Sequence, residues 1–272
     1  MIKAAVIGDP ISHSLSPKIH NFFLQQLGIP GSYEAIRVQK DELREAVQKL
    51  VDQGFAGFNV TLPHKEKIFE ICDELDETAR LTGAVNTVVI TPEKKLRGLN
   101  SDVFGFLQNL KNSQPDFDLR GKNIFVVGAG GAARAVIYGL LKSGVKKIYL
   151  TNRTEKNFVD VEFLSRENFE KKLGECDLLV NTTSLGMVRE INEQEALNLD
   201  LKNLKHFAIV YDIVYKPLKT ELLESAEMRG NKIVTGIGML VEQALVGFEA
   251  WFGKKPKPSE KFSIAKLLKD LD

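Results

Sequence analysis

The chain has 272 residues, 43% of them hydrophobic, enough for one large or two modest cores, and two domains are expected. Lysine and arginine total 37 against 36 acidic residues, a net charge of +1, which points away from nucleic acid and membrane surfaces and toward a small-molecule partner. The two cysteines, Cys72 and Cys176, stand far apart and in no metal-ligand pair, so no disulfide framework or zinc site is legible and a reducing cytoplasm fits.

The opening apolar run is too short for the core of a signal segment or for a membrane span, and it predicts a first strand over residues 3–7. Ser16 followed by Pro17 predicts a helix running to Leu27 with Ser16 as its N-cap. Ser14 and Ser16 read equally as turn and cap residues or as hydroxyls beside a helix N-terminus, where an anion such as a carboxylate binds. A strand around residues 33–38 and a helix from about 41 to 52, apolar at Leu43, Ala46, Val47 and Leu50, come next. Residues 55–60 predict a buried strand stopped by Pro63, which leaves Lys65 at a strand-to-helix junction. In an open α/β sheet such junctions border the ligand crevice; taken alone, Lys65 reads more simply as a solvated first-turn lysine. The order strand, helix, strand, helix, strand implies a parallel α/β sheet.

A helix with Ile68, Phe69 and Ile71 follows, and residues 81–90 return to a strand that Asn86 enters. A turn at residues 92–95 and a strand over 96–99 complete a hairpin. Asn100, Ser101 and Asp102 close that strand and open a helix apolar at Val103, Phe106, Leu107 and Leu110, so Asp102 serves equally well as a plain N-cap.

Residues 115–120 read as a linker. Beyond them a strand over 123–127 runs into Gly128, Ala129, Gly130, Gly131, Ala132 and Ala133 at the head of an alanine-rich helix. Glycines there permit a tight turn and close backbone approach to a pyrophosphate, and the strand-to-helix context is the one a dinucleotide-binding fingerprint requires. The next strand, 147–150, ends in Asn152, Arg153 and Thr154. An acid here would hold the ribose hydroxyls of NAD, whereas an arginine suits the 2′-phosphate of NADP; Glu155, one place beyond, is able to turn toward the ribose instead. Buried strands are predicted over 177–180, 208–211 and 232–234, with a polar loop over 181–187 able to border the cofactor. A glycine turn over 236–239 then leads into a helix carrying Leu240, Val241, Ala244, Leu245, Phe248 and Trp251, with Gln243 beside them as a solvated or a functional residue.

Taken together, these motifs resemble the shikimate dehydrogenase family in order and over nearly the whole chain. The resemblance rests on Ser14-Leu15-Ser16-Pro17 with His20-Asn21, Asn59-Val60-Thr61-Leu62-Pro63-His64-Lys65, Gly83-Ala84-Val85-Asn86-Thr87, Asn100-Ser101-Asp102, the glycine turn, Asn152-Arg153-Thr154, Tyr215 and Gln243. It implies reversible NADPH-dependent reduction of 3-dehydroshikimate to shikimate, a step of chorismate and aromatic amino-acid biosynthesis, in a cytoplasmic monomer or homodimer. It implies an α/β fold: a substrate domain with a mainly parallel sheet (1–101), an NADP-binding Rossmann domain (102–237) and C-terminal helices returning to the first domain (238–272). Ser14 and Ser16, aided by Tyr215, are then expected to hold the substrate carboxylate, and Asn59, Thr61, Asn86 and Gln243 the ring hydroxyls. Lys65 and Asp102 flank the reacting oxygen. Gly128, Ala129, Gly130, Gly131 and Ala132 cradle the pyrophosphate, Asn152, Arg153 and Thr154 the adenosine phosphate end, and Ile213, Gly236 and Glu77 lie near the nicotinamide side. The chain departs from the family in having Ser101 where threonine is usual, and in lacking an obvious full helix after Arg153. A quinate/shikimate dehydrogenase with broader substrate or NAD use, a non-catalytic protein on the same scaffold, and a folate-linked dehydrogenase of similar architecture remain the alternatives; the last leaves the serine pair and Gln243 unexplained.

Overall fold

The computed structural model describes residues 1–187 and 196–256. It divides into two compact units: Met1–Phe104 with residues 241–256, and Gly105–Leu240. The part of the expected C-terminal segment after residue 256 lies outside the described residues. Among the described residues no helix is long and apolar enough to cross a membrane.

The first unit runs β1 (Ile2–Gly8), α1 (Ser16–Leu27), β2 (Gly31–Arg37), a 3₁₀ turn, α2 (Leu43–Asp52), β3 (Gly57–Val60), α3 (Lys65–Phe69), β4 (Glu74–Leu75), α4 (Glu77–Thr82), β5 (Thr87–Ile90) and β6 (Leu96–Leu99). The strands lie in the order β2-β1-β3-β5-β6-β4. Three of the five pairings are parallel, and β5 is antiparallel to both of its neighbours. β1 and β3 are buried on successive residues rather than alternate ones because both faces of the sheet centre are covered. Ile7, Val47, Leu50, Phe58, Ile68 and Val88 form part of one buried cluster against it. Val60 lies opposite Ile7, Asn59 opposite Thr87, and Thr87 opposite Leu99, so the C-terminal ends of β1, β3 and β6 share an edge with the start of β5. Polar residues that sequence scatters over the first hundred positions therefore converge there.

The second unit follows α5 (Asp102–Ser113), whose first residues belong to the first unit. It contains β7 (Asn123–Val127), α6 (Gly131–Lys142), β8 (Lys147–Thr151), β9 (Val161–Phe163), α7 (Arg166–Lys172), β10 (Leu178–Asn181), β11 (Ile209–Asp212), α8 (Glu221–Met228), β12 (Lys232–Val234) and the start of α9 (Gly236–Phe252). Its sheet is parallel throughout, in the order β12-β11-β10-β7-β8-β9. Counted from β7, that is the 3-2-1-4-5-6 order of a Rossmann domain, with the reversal between β7 and β10.

Several local expectations are corrected. Ser16 is the first residue of α1 rather than its cap; Leu15 holds the cap position, and the Ser14 hydroxyl accepts the Ser16 amide at 3.3 Å, serving one of the helix's orphan donors. Asp102 likewise opens α5 instead of capping it, because its carboxylate is engaged elsewhere. Leu81 and Thr82 belong to α4, capped by Asp76, so the following strand starts only at Thr87. The glycines at 236 and 238 lie inside α9 rather than in a turn before it.

Candidate active site

The placement of Lys65 is decided by its neighbours. His64 is buried, and its Nε2–H donates to the Val38 carbonyl at 2.7 Å. The His64 amide closes a turn onto Thr61 at 2.9 Å, and the Lys65 carbonyl accepts from Val85 at 2.9 Å. Anchored on both sides, Lys65 sends its Nζ to Asp102 Oδ2 at 2.6 Å, the lysine side chain 19% exposed and the aspartate 5%. The contact is charge-assisted and largely removed from water, where both the attraction and the desolvation cost grow. An ammonium carries three donors, and this bond uses one.

Asn86 is the hub of the cluster. Its Nδ2 stands 2.8 Å from Asp102 Oδ1, 3.0 Å from Ser101 Oγ and 3.0 Å from Gln243 Oε1. Its Oδ1 accepts the Ser101 amide at 2.8 Å and the Thr87 hydroxyl at 3.0 Å. Two amide hydrogens face three acceptors, so one acceptor is left for a donor from elsewhere. The serine hydroxyl at 101 fills the hydrogen-bonding place expected of a threonine. Asn100 sets the start of α5 by accepting the Asp102 amide at 3.0 Å and donating to the Ala84 carbonyl at 2.9 Å.

Asn59 is buried and heavily committed. Its Nδ2 donates to the Asn86 carbonyl at 3.1 Å and to Thr87 Oγ1 at 3.0 Å, while its Oδ1 accepts the Tyr33 hydroxyl at 2.6 Å. With both amide hydrogens used, Asn59 has only acceptor capacity to offer a ligand. Ser14, Ser16, Thr61 and Gln243 belong to the same unit, Ser16 buried and the other three half-buried. Glu77, expected at the cofactor, also belongs to this unit and is exposed at the start of α4. Tyr33, His64, Thr87 and Asn100 are supporting residues to which sequence reading gave no role, the last three being quoted only as parts of motifs; their signal is a polar side chain within or beside an apolar strand, where an unpaired group is costly.

In the second unit the ends of β7, β8, β10 and β11 line one edge, with Val127 opposite Thr151 and Asn181 opposite both Val127 and Asp212. Gly128 has φ +102°, and a Cβ there would stand 2.7 Å from Thr182 Oγ1 and from Thr183 Cγ2, so only glycine fits. At Gly130 a Cβ would meet nothing within 4 Å, and α6 has no side-chain cap there. With the small residues Ala129, Gly131 and Ala132 alongside, this leaves an open stretch of backbone at a helix N-terminus, which fits a pyrophosphate. Arg153, Thr154 and Glu155 are exposed beyond β8, and Asn152 Nδ2 donates to the Thr154 carbonyl at 2.8 Å. Ile213 and Gly236 are brought together, a Cβ at 236 falling 2.2 Å from the Ile213 carbonyl oxygen. Tyr215 is half-buried two residues further on. The loop carrying Ile213 is tied down by Asp212, whose carboxylate accepts from the Val214 amide at 2.9 Å, Asn181 at 3.0 Å and Thr220 at 2.7 Å.

Family models match three stretches of the chain. Residues 6–88 match the shikimate dehydrogenase substrate binding domain, 110–213 the shikimate / quinate 5-dehydrogenase model, and 236–259 the shikimate 5'-dehydrogenase C-terminal domain. The NADP(+) shikimate dehydrogenase of Paramagnetospirillum magneticum is 44% identical over 265 residues, 94% of this chain and 95% of that protein. The crystal structure of the Thermus thermophilus shikimate 5-dehydrogenase in complex with NADP(H) and shikimate is 34% identical, with a TM-score of 0.86 and 100% of both chains covered. A quinate dehydrogenase of Corynebacterium glutamicum in complex with NAD is 26% identical, with a TM-score of 0.84 and 98% and 97% covered. On its sequence, its two folds and the buried Lys65–Asp102 cluster, the chain belongs to the shikimate dehydrogenase family.

Proposed function

We propose that the protein catalyses the reversible NADP-dependent interconversion of 3-dehydroshikimate and shikimate, a step of aromatic amino-acid biosynthesis. The observation that carries this reading is the desolvated Lys65–Asp102 pair, tied through Asn86 to Gln243. NADP, when bound, supplies or takes the hydride. The chain's own residues handle the oxygen. Lys65 donates a hydrogen bond to it and stabilises the negative charge that develops when its proton leaves. Asp102, held by Lys65 and Asn86, hydrogen-bonds the same hydroxyl, and the proton passes between that oxygen and this pair.

Ser14 and Ser16, with Tyr215, take the carboxylate. Asn59 accepts from a ring hydroxyl, its own donors being spent, and Thr61, Asn86 and Gln243 complete the contacts to the ring. The backbone from Gly128 to Ala132 holds the pyrophosphate; Asn152, Arg153 and Thr154 take the adenosine phosphate end, with Arg153 favouring the 2′-phosphate of NADP. Ile213, Gly236 and Glu77 serve the nicotinamide side. In this reading residues 1–101 bind substrate, 102–237 bind NADP and 238–272 complete the substrate side, in a cytoplasmic monomer or homodimer.

The deciding experiment measures initial rates of cofactor reduction with shikimate and with quinate, each with NADP and NAD. Turnover confined to shikimate and NADP supports the proposal. Comparable rates with quinate or NAD assign a broader quinate/shikimate dehydrogenase, and NADP binding without turnover assigns a non-catalytic role.

A further inference from the structure

Tyr33 lies in β2, belongs to none of the motifs above and is only 3% exposed. Its ring stacks face to face on His20, centroids 4.0 Å apart and planes 8° from parallel, and Trp251 leans on it at 5.9 Å. His20 is itself fully buried, and burial pushes its imidazole down to about 3, an Asn59 contact opposing, so the stack is between two neutral rings. The backbone beneath Tyr33 is pinned by Asn21, which accepts its amide at 3.0 Å and donates to its carbonyl at 2.7 Å. A phenol so confined has one place for its oxygen. That oxygen donates to Asn59 Oδ1 at 2.6 Å, while the ring and backbone of Tyr33 are held by His20 and Asn21 of α1, the helix that Ser16 opens.

Ser16 and Asn59 come from opposite ends of the proposed substrate site, the first from the carboxylate end and the second from the ring-hydroxyl end. The Tyr33 bond also decides which way the Asn59 amide faces: the oxygen toward Tyr33, the nitrogen toward the Asn86 carbonyl. We propose that Tyr33 is a positioning residue that touches no substrate but sets the spacing between the carboxylate-binding serine and the hydroxyl-accepting asparagine, so that the site selects ligands bearing both groups at that separation. The inference rests on the substrate reading proposed above.

Tyr33→Phe tests it, since the ring stays in its stack and only the oxygen is lost. Shikimate carries both groups; cyclohex-1-ene-1-carboxylate carries the ring and carboxylate without the hydroxyls. In the variant, Kd and KM for shikimate are expected to rise about fivefold, as for the loss of one aligned hydrogen bond, with kcat within about twofold. The inhibition constant of cyclohexenecarboxylate and the Kd of NADP+ are expected to stay at wild-type values. A general loosening of the unit would instead weaken both carboxylates alike. Equal losses for the two ligands, or unchanged shikimate binding, overturn the positioning role. Wild-type protein that binds no shikimate by calorimetry overturns the substrate reading itself, and this inference with it.

Discussion

Lys65 is the residue on which chemistry and fold meet. A solvated first-turn lysine would be long and mobile; here the His64 ring, the Thr61 turn and the Val85 amide hold the backbone, and Asp102 takes the ammonium at 2.6 Å. Lys65→Ala is expected to lower kcat by about 10²-fold or more while KM for shikimate changes by less than about threefold, because proton transfer and charge stabilisation act in the transition state. Steady-state kinetics at saturating NADP checks this, and near-normal turnover removes lysine from the mechanism. Arg153 makes a separate test. Exposed beyond β8, it is expected to serve the 2′-phosphate alone, so Arg153→Ala should weaken NADP+ about tenfold and leave NAD+ unchanged in equilibrium binding. Both residues could be picked as candidates from sequence, Arg153 from its place after a strand and Lys65 only with the family resemblance in hand. Tyr33 was harder: a tyrosine in a strand reads as core, and only its oxygen, 2.6 Å from an amide 26 positions away, says otherwise.

Among elements, β3 shows how closely the backbone of the substrate unit is packed. At Gly57 a Cβ would fall 2.2 Å from both the Trp251 Nε1 and the Val88 carbonyl oxygen, which are themselves hydrogen-bonded at 2.9 Å. Gly57→Ala must therefore push the α9 indole off β5 and leave the Val88 carbonyl unpaired. A loss of about 2 kcal/mol is expected in denaturant unfolding, the usual cost of overpacking plus a broken buried bond. Sequence periodicity located most long elements within a few residues but passed over β4, β9, α7 and α8. These are two to eight residues long, below the length at which a period of 2 or 3.6 stands out, and their formation depends on packing rather than propensity.

For the molecule as a whole, stability against pH carries the mark of one buried carboxylate. Burial pushes Asp212 up from 3.8 to about 6, opposed by its bonds from Thr220, Val214 and Asn181. The folded state thus binds this proton more tightly than the unfolded state. The stabilisation is fully present below 3.8 and is lost as pH rises toward about 6. By the size of the shift it amounts to roughly 3 kcal/mol. His20 has the opposite slope: its imidazole, held at about 3 by burial, costs stability as pH falls below 6.5. Comparing wild type with Asp212→Asn cancels the histidine contribution. The urea midpoint of wild type minus that of the variant is expected to fall between about pH 4 and pH 6, and a flat difference would show that the three donors hold Asp212 ionised throughout.

Sequence alone determined what depends on short stretches of chain: a glycine turn between strand and helix, an arginine after the second Rossmann strand, a lysine after a proline-stopped strand, and the apolar rhythm of the longer elements. These are properties of neighbouring residues, and the backbone reads them locally. Tertiary structure decided which of those stretches meet. Asn86 reaches Gln243 across 157 positions and Lys65 reaches Asp102 across 37, because β5 inserts antiparallel beside β3 and brings its first residues to the edge where β1, β3 and β6 end. Strand order and register are set by burial of the whole sheet, and no local pattern encodes them; that is why Asn59 could be picked as a site residue from its motif, while the commitment of both its amide hydrogens could be seen only in the fold.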